Sequence, residues 1–264
     1  MIAGLNVLKC GPAEATTDRP PVLLVHGAWH GAWCWEGNYL DWFAQRGHPT
    51  WALDLRGHGQ SPARRAMRWN RLRHYTDDVA AVVSDMPAAP VVIGHSMGGL
   101  IAQHLLSRDV AVRGIGLLAS APHYGVIGAT WAVMRERPLD FLRANLELSL
   151  YPLVRDPHKA AQMFLDPDTD PETAQAFGQR LGDESYLGFL EMLGLDLPRR
   201  PRHGVPVCVV GAELDGLFTP ASQKRLARRY QADCHIIAGA AHDLMLSEHW
   251  RAGAGHFATW IDTI

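Results

Sequence analysis

Short runs of apolar residues recur along the chain, with longer stretches of helical spacing between them. The short runs are rich in Val, Ile and Leu without polar alternation, and they cover residues 22–26, 50–55, 91–95, 114–120, 206–211 and 234–238. Runs of this kind are typical of strands that are buried on both faces of a sheet. The stretches with helical spacing include residues 75–86, 97–108, 220–230 and 247–261. Strand and helix in alternation predict a mostly parallel α/β sheet with helices packed on both faces.

This alternation stops between residues 123 and 203. The segment has no strand-like run, and Pro-rich turns separate its helical stretches. Its large apolar residues, such as Trp131 and Phe141, exceed what a simple connection needs. We therefore predict one core domain formed by residues 1–122 and 204–264, with residues 123–203 inserted as a helical cap.

Two helix starts are marked by capping residues. Thr219 precedes Pro220, and Ser247 precedes Glu248. Ser and Thr side chains accept hydrogen bonds from the free N–H groups of a first helical turn, and Pro fits the first helical position. We expect helices to begin after Thr219 and after Ser247.

Composition and charge narrow the class of partner. The chain has 264 residues, of which 47% are hydrophobic and 20% charged, as in ordinary globular proteins. With a formal net charge of −2, the chain lacks the excess of basic residues that is typical of proteins that bind nucleic acid. We therefore expect a small-molecule partner instead. No stretch approaches the ~18 consecutive apolar residues of a membrane span, and the first residues do not resemble a signal peptide. We predict a cytoplasmic protein without membrane contact, either a monomer or a homodimer.

The clearest chemical motif is a G-x-S-x-G at residues 94–98, which follows the apolar run 91–93 and opens a predicted helix. A serine between a strand and a helix lies on a sharp turn, and glycines two positions away permit the close backbone approach that this turn requires. The N-terminus of the following helix favours negative charge that develops near the serine. We predict that Ser96 is a nucleophile.

Several further segments carry a family resemblance together with this motif. They read 22-VLLVHGAWHGAWCW-35, 54-DLRGHGQS-61, 207-VCVVGAELDGLFTP-220 and 238-AGAAHDLM-245. The chain resembles the α/β-hydrolase family over nearly its whole length, with the family's order of serine, acid and histidine. The HGAWHGAW segment is similar to that of plant methylesterases and hydroxynitrile lyases. The resemblance implies the α/β-hydrolase fold, but this fold alone does not fix the reaction.

A serine hydroxyl needs a base within hydrogen-bond reach, and the chain has 14 histidines. His242 directly follows a late strand-like run, which is where the resemblance places the base. His95 adjoins the serine and is expected to point into the turn. Asp243 is expected to point away from the site, as a helix-start or surface residue. The chain has no HExxH pattern, and neither a metal nor another cofactor is implied.

The third catalytic residue should hold His242 in the correct tautomer and offset its charge. The resemblance places this acid in the loop after the run 206–211, which offers Glu213 and Asp215. Asp215 is followed by a glycine and lies where the loop should turn back over the histidine. We predict Asp215 as the acid, with Glu213 as the alternative.

Two backbone N–H groups should bind the negative oxygen that forms during the reaction. One is the N–H of Met97, directly after the nucleophile, and the resemblance points to Ala28 for the other. The predicted substrate pocket includes side chains from both parts of the chain: Trp29, Trp131, Leu217 and Met245.

These residues predict acyl transfer to water through an acyl-enzyme, with carboxylic esters of small to medium apolar substrates as the first choice. A thioesterase or a lactonase would use the same residues. Within the family, haloalkane dehalogenases and epoxide hydrolases have an aspartate where this chain has Ser96. Plant hydroxynitrile lyases add a lysine near the histidine, and residues 236–245 contain none. A non-catalytic small-ligand receptor that retains the triad is the alternative of another class.

Overall fold

A computed structural model describes residues 1–199 and 204–264. Within them, seven strands form one sheet: β1 (Val7–Cys10), β2 (Val22–Val25), β3 (Thr50–Leu53), β4 (Val91–His95), β5 (Gly114–Leu118), β6 (Val207–Ala212) and β7 (Asp233–Ile237). Their order across the sheet is β1-β3-β2-β4-β5-β6-β7. β1 runs antiparallel to β3, and every other neighbouring pair is parallel. The predicted mostly parallel sheet is confirmed.

Helices flank this sheet on both faces. In chain order they are α1 (Tyr39–Gln45), α2 (Leu72–Ser84), α3 (Met97–Leu105), α4 (Ile127–Glu136), α5 (Pro138–Glu147), α6 (Pro157–Phe164), α7 (Pro171–Arg180), α8 (Tyr186–Leu190), α9 (Pro220–Tyr230) and α10 (Trp250–Ile261). Buried side chains of α1 and α10 pack on one face of the sheet, and those of α2, α3 and α9 pack on the other. In the described part of the chain, no helix combines the length and apolar character that crossing a bilayer requires.

All six predicted strands occur, with ends that shift by at most two residues. The strand β1 and the helix α1 were not predicted from the sequence. β1 is a four-residue edge strand with partly exposed side chains, so its apolar pattern is weak. Helix α1 spans only seven residues, which is too short for a clear helical period.

One of the two predicted helix starts is confirmed. The Thr219 side chain accepts a hydrogen bond from the backbone N–H of Ser222 at the start of α9. The prediction for Ser247 is wrong, because α10 begins at Trp250. The Ser247 hydroxyl instead donates to Asp166 Oδ2 at 2.5 Å, which ties the loop before α10 to the inserted segment.

Helices α4 to α8 lie between β5 and β6, within the segment that the sequence analysis assigned to an insertion. Up to residue 199, this segment contains no strand. It has its own cluster of buried apolar side chains, which includes Ala144, Leu150, Leu153, Val154, Ala160, Phe164 and Phe177. Trp29, Trp33 and Leu217 of the core pack against this cluster. The predicted end of the insertion at residue 203 lies outside the described residues.

Candidate active site

Ser96 occupies the turn between β4 and α3, with φ 53° and ψ −118°. A positive φ is strained for a residue other than glycine, and such strain persists only where the surrounding structure maintains it. A Cβ on Gly94 would lie 2.3 Å from the Gly98 oxygen, and a Cβ on Gly98 would lie 2.4 Å from the His26 oxygen. Both positions of the motif therefore require glycine, and the turn presents Ser96 at the carboxyl end of the sheet.

His242 follows β7, is 1% exposed, and contacts Asp215 in the loop after β6. Its Nδ1 lies 2.9 Å from Asp215 Oδ2. The other carboxylate oxygen of Asp215 accepts hydrogen bonds from the backbone N–H groups of Leu217 and Phe218, both at 2.8 Å. These contacts fix the carboxylate so that Nδ1 of His242 carries a proton and Nε2 is free to accept one.

Burial and pairing act on the pKa values of this pair in opposite directions. Burial alone would lower the pKa of His242, but the charge and hydrogen bond of Asp215 outweigh it and raise that pKa above its usual value. Burial alone would raise the pKa of Asp215, but its contacts with His242 outweigh burial and lower it. The pair therefore favours an ionised carboxylate beside a histidine of increased basicity.

Glu213, the alternative acid, lies on the surface. Its Oε2 accepts a hydrogen bond from the backbone N–H of Gly239 at 2.9 Å. Glu213 thus ties the loop after β6 to the loop after β7, whereas Asp215 points inward to His242.

Ser96 and His242 are not hydrogen-bonded to each other, but both lie near Phe218. The ring of Phe218 lies 5.5 Å from that of His242, and Phe218 lines the cavity beside Ser96. Within residues 1–199 and 204–264, the Ser96 hydroxyl makes no hydrogen bond to His242. In substrate-free enzymes this bond is often long and tightens only when substrate binds.

Ala28 and Met97, the predicted oxyanion donors, line the same cavity as Ser96. Ala28 lies in the loop after β2, and Met97 is the first residue of α3. In the described ranges, neither backbone N–H donates to another residue of the protein. Both N–H groups are therefore available to a ligand at Ser96.

The cavity beside Ser96 is bounded almost wholly by apolar side chains. The space between its atoms is about 670 Å³ when its opening to solvent is included. The core contributes Trp29, Leu217 and Phe218 to its wall. The inserted segment contributes Val126, Ala129, Thr130, Val133, Phe141, Leu150, Leu153, Met163, Phe189 and Met192. None of these described lining residues is charged.

The inserted segment holds the loop that carries Ala28. The backbone N–H of Gly182 donates to the Trp29 oxygen at 2.9 Å, and the Trp29 indole donates to the Leu150 oxygen at 3.3 Å. Trp29 has φ 64°, a conformation that a bulky residue rarely adopts. These hydrogen bonds help to maintain it.

The loop that carries His242 is held in the same way. The backbone N–H of Ala241 donates to Asp166 Oδ1 at 2.7 Å, and that of Asp243 donates to the Phe164 oxygen at 2.8 Å. The Phe164 ring also lies 5.8 Å from the His242 ring. The insertion therefore contacts both loops that bring residues to Ser96.

Comparison with known proteins identifies the family. A sequence profile described as the alpha/beta hydrolase family matches residues 22–254. The chain belongs to the alpha/beta hydrolase family. Two named relatives match shorter parts of this chain. Protein phosphatase methylesterase 1 of Bos taurus is 33% identical over 107 residues, which are 39% of this chain and 28% of that protein. Methylesterase 3 of Arabidopsis thaliana is 35% identical over 81 residues, or 30% of each chain. The matches thus span less than a third of either relative.

The fold of this chain also resembles that of solved structures. A thermophilic esterase from Thermogutta terrifontis superposes with a TM-score of 0.76 at 18% identity, over 98% of this chain and 93% of that one. The similarity extends across the core and the inserted helices, and it confirms the α/β-hydrolase fold that the resemblance implied.

Two of the four predicted pocket residues lie away from the cavity. Trp131 is 58% exposed, because Ala129, Thr130 and Val133 turn the opposite side of α4 toward Ser96. Met245 is fully buried in the core cluster that also contains residues of α1 and α10. These two predictions are wrong, whereas Trp29 and Leu217 do line the cavity.

Asp243 is not the surface residue that the sequence analysis expected. It is completely buried, and its Oδ2 lies 2.8 Å from His30 Nε2. His95 lies beside it, with Nε2 3.1 Å from the His242 oxygen and 3.6 Å from Asp243 Oδ1. The second histidine of the HGAWHGAW segment was the available signal for this cluster, but sequence spacing could not show which carboxylate it meets.

His95, His242 and Asp243 form the one group of potential metal ligands found among the described residues, with ligand atoms within 4.8 Å of one another. Each side chain already has a protein partner: His95 contacts the His242 oxygen, His242 contacts Asp215, and Asp243 contacts His30. We interpret the group as a hydrogen-bonded cluster that supports the loops around Ser96.

Proposed function

We propose that this hydrolase cleaves carboxylic esters through an acyl-enzyme formed on Ser96. The observation that carries the proposal is the buried His242–Asp215 pair, which lies next to a cavity that contains a serine on a strained strand-to-helix turn. The relatives named methylesterases support an ester bond as the target. In this proposal the inserted residues 123–203 act as a cap that completes the substrate pocket.

In the proposed reaction, Ser96 Oγ attacks the ester carbonyl carbon while His242 Nε2 accepts the hydroxyl proton. Asp215 stabilises the resulting imidazolium. The carbonyl oxygen becomes negative and accepts hydrogen bonds from the N–H groups of Ala28 and Met97. His242 then donates its proton to the leaving alcohol as the C–O bond breaks. Water repeats these steps on the acyl-enzyme, which releases the acid and restores Ser96.

The wall of the cavity supports an uncharged, apolar substrate. An ionised group buried there would lose its hydration without gaining a charged partner, which costs several kcal/mol by the order of magnitude typical of buried ions. Burial of methylene groups is favourable by about 0.8 kcal/mol each. Esters of short to medium aliphatic acids therefore fit the site best. Thioesters and lactones would engage the same residues and are to be compared directly with esters.

The proposal is tested with purified protein and p-nitrophenyl butyrate. We expect steady turnover without added metal, and stoichiometric labelling of Ser96 by a fluorophosphonate. Ser96→Ala and His242→Ala should each lower kcat by several orders of magnitude, and the double variant should be little worse, since the two residues act as one unit. Multiplicative losses in the double variant would contradict a shared step. A protein that binds such ligands without turnover or labelling would instead be a receptor.

A further inference from the structure

His30 and Asp243 form a second buried histidine–carboxylate pair next to the proposed triad. His30 Nε2 lies 2.8 Å from Asp243 Oδ2, and the side chains are 1% and 0% exposed. Asp243 directly follows His242, and His30 lies two residues after Ala28. The pair therefore joins the loop of the proposed base to the loop of the proposed oxyanion donor.

Both ring nitrogens of His30 face oxygen atoms. Nε2 faces the Asp243 carboxylate, and Nδ1 lies 2.7 Å from the Ala28 oxygen. Burial alone would raise the pKa of Asp243, but its contacts with His30 and the neighbouring histidines outweigh burial and lower it. A carbonyl oxygen can only accept a hydrogen bond, so in the contact with Ala28 the Nδ1 of His30 is the donor.

The loop needs this support because of the conformation of the residue after Ala28. Trp29 has a positive φ, and rotation of the Ala28–Trp29 peptide toward a more common conformation would move the backbone at Ala28. The hydrogen bond from His30 to the Ala28 oxygen opposes that rotation. Stacking of the His30 ring on Trp33, with centroids 5.3 Å apart, restrains the ring in turn.

His26 holds the peptide on the other side of Ala28. Its Nε2 accepts a hydrogen bond from the backbone N–H of Leu55 at 3.1 Å, so Nδ1 carries the proton and donates to the Gly27 oxygen at 2.8 Å. Burial lowers the pKa of His26 to about 3, which keeps the ring neutral in this role. The N–H of that same peptide belongs to Ala28, so histidines fix both peptides that meet at the proposed donor.

We infer that His30, anchored by Asp243, is a positioning residue that holds the Ala28 N–H where the reaction oxyanion forms. The inference rests on the proposed ester hydrolysis. An oxyanion donor acts mainly in the transition state, so displacement of Ala28 should lower kcat and leave KM nearly unchanged. If the His30–Asp243 pair only stabilised the fold, its loss would lower the free energy of unfolding without lowering kcat selectively.

The test compares His30→Gln with His30→Asn in steady-state hydrolysis of p-nitrophenyl butyrate. The Asn amide retains a donor near the position of Nδ1, facing Ala28, whereas the Gln amide retains one near Nε2, facing Asp243. We expect His30→Gln to lower kcat about 10–100-fold, the loss typical of residues that orient the ligands of a metal site, with KM little changed. His30→Asn should retain more kcat. The matched control is His48→Gln, since buried His48 also donates from Nδ1 to a backbone oxygen, that of Pro20 at 2.8 Å, and should keep wild-type kcat.

Each outcome decides the inference. Wild-type kcat in His30→Gln, or a loss confined to KM, overturns it and leaves the proposed function intact. Wild-type protein without turnover or Ser96 labelling refutes the proposed function, and the inference with it. If circular dichroism shows that His30→Gln does not fold, Asp243→Asn replaces it, and wild-type kcat in that variant overturns the inference.

Discussion

Two carboxylates lie two residues apart in the loop after β6, and they have different partners. Asp215 contacts His242, whereas Glu213 contacts the backbone of Gly239. We predict that Asp215→Asn lowers kcat by about 10³–10⁴-fold, because an amide no longer fixes the histidine tautomer or offsets its charge. Glu213→Gln should stay near wild type and serves as the matched control. Both kcat values are to be measured at saturating ester with circular dichroism unchanged. A larger loss in Glu213→Gln would contradict the assignment.

The pKa of His242 gives a second prediction. His242 must be neutral to accept the Ser96 proton, and Asp215 raises its pKa above the usual 6.5. The acid limb of kcat/KM should therefore have its midpoint above pH 6.5. In Asp215→Asn, burial still lowers this pKa while the opposing charge is lost, so the midpoint should move to lower pH. A pH profile of kcat/KM for both proteins measures the shift. An unchanged or higher midpoint in the variant would exclude Asp215 as the cause.

Single residues differ in how far the sequence could predict them. Ser96 and Asp215 lie in loops whose position after a buried strand is visible in the sequence, and the structure places them as that order implies. Asp243 was misjudged because its partner, His30, is 213 residues away in sequence. Met245 was misjudged because the direction of a side chain after a turn depends on tertiary packing.

Among the elements, α4 shows why the part of the cavity wall formed by the inserted helices was harder to predict. Both of its faces carry apolar residues, so the apolar pattern does not define the buried face. The structure turns Ala129 and Val133 toward the cavity and leaves Trp131 exposed. On the outer surfaces of α4 and α5, several large apolar side chains are exposed: Ile127, Trp131, Leu139, Leu142 and Leu146.

The insertion also joins the core through a buried ion pair outside the proposed active site. Glu184 Oε2 lies 3.0 Å from His58 Nε2, and Glu184 Oε1 accepts from the Tyr75 hydroxyl at 2.9 Å. Burial alone would lower the pKa of His58 and raise that of Glu184. Their mutual attraction outweighs burial, so the pKa of His58 is raised and that of Glu184 is lowered.

These shifts predict pH-dependent stability of the junction between core and insertion. His58 stabilises the fold below its unfolded pKa, and this contribution is lost as pH rises through its raised folded value. Glu184 contributes above its unfolded pKa, and this is lost as pH falls through its lowered folded value. The pair is thus fully effective between the ordinary values of 4.5 and 6.5.

We therefore expect Glu184→Gln to lower the free energy of unfolding by about 3–5 kcal/mol near pH 6, since it leaves His58 buried without its partner. The difference from wild type should shrink as pH rises through the folded pKa of His58. The control is Glu36→Gln, which breaks the exposed contact of Glu36 with Arg180 of α7 and should cost at most about 1 kcal/mol. Urea unfolding across pH measures both variants. A pH-independent effect of Glu184→Gln would show that the ion pair does not contribute.

For the whole molecule, the sequence predicted every strand of the sheet except the one at its first edge. Five of the six predicted strands are buried at every position, which produces continuous apolar runs. The sixth, β7, is an edge strand with partly exposed side chains. The strand that was missed, β1, lies at the sheet edge and is antiparallel. The inserted helices were predicted as a group because strand-like runs are missing there, but their orientation over Ser96 results from packing that sequence periodicity does not encode.

Because residues of both the core and the insertion line the cavity, we make a prediction about the length of the acyl chain that the site prefers. Each methylene newly buried in the cavity adds about 0.8 kcal/mol, or roughly fourfold in kcat/KM. We expect kcat/KM to rise from acetyl to about hexanoyl p-nitrophenyl esters and then to decline, once the space is filled. Val133→Phe, which places a larger side chain toward the cavity, should shift the optimum to shorter acids. Trp131→Phe, on the exposed side of α4, should leave this optimum unchanged.

A steady fall of kcat/KM from the acetyl ester onward would show that the insertion does not bind the acyl chain. An equal shift in both variants would show that α4 acts on the substrate through its overall position and not through the face that contains Val133.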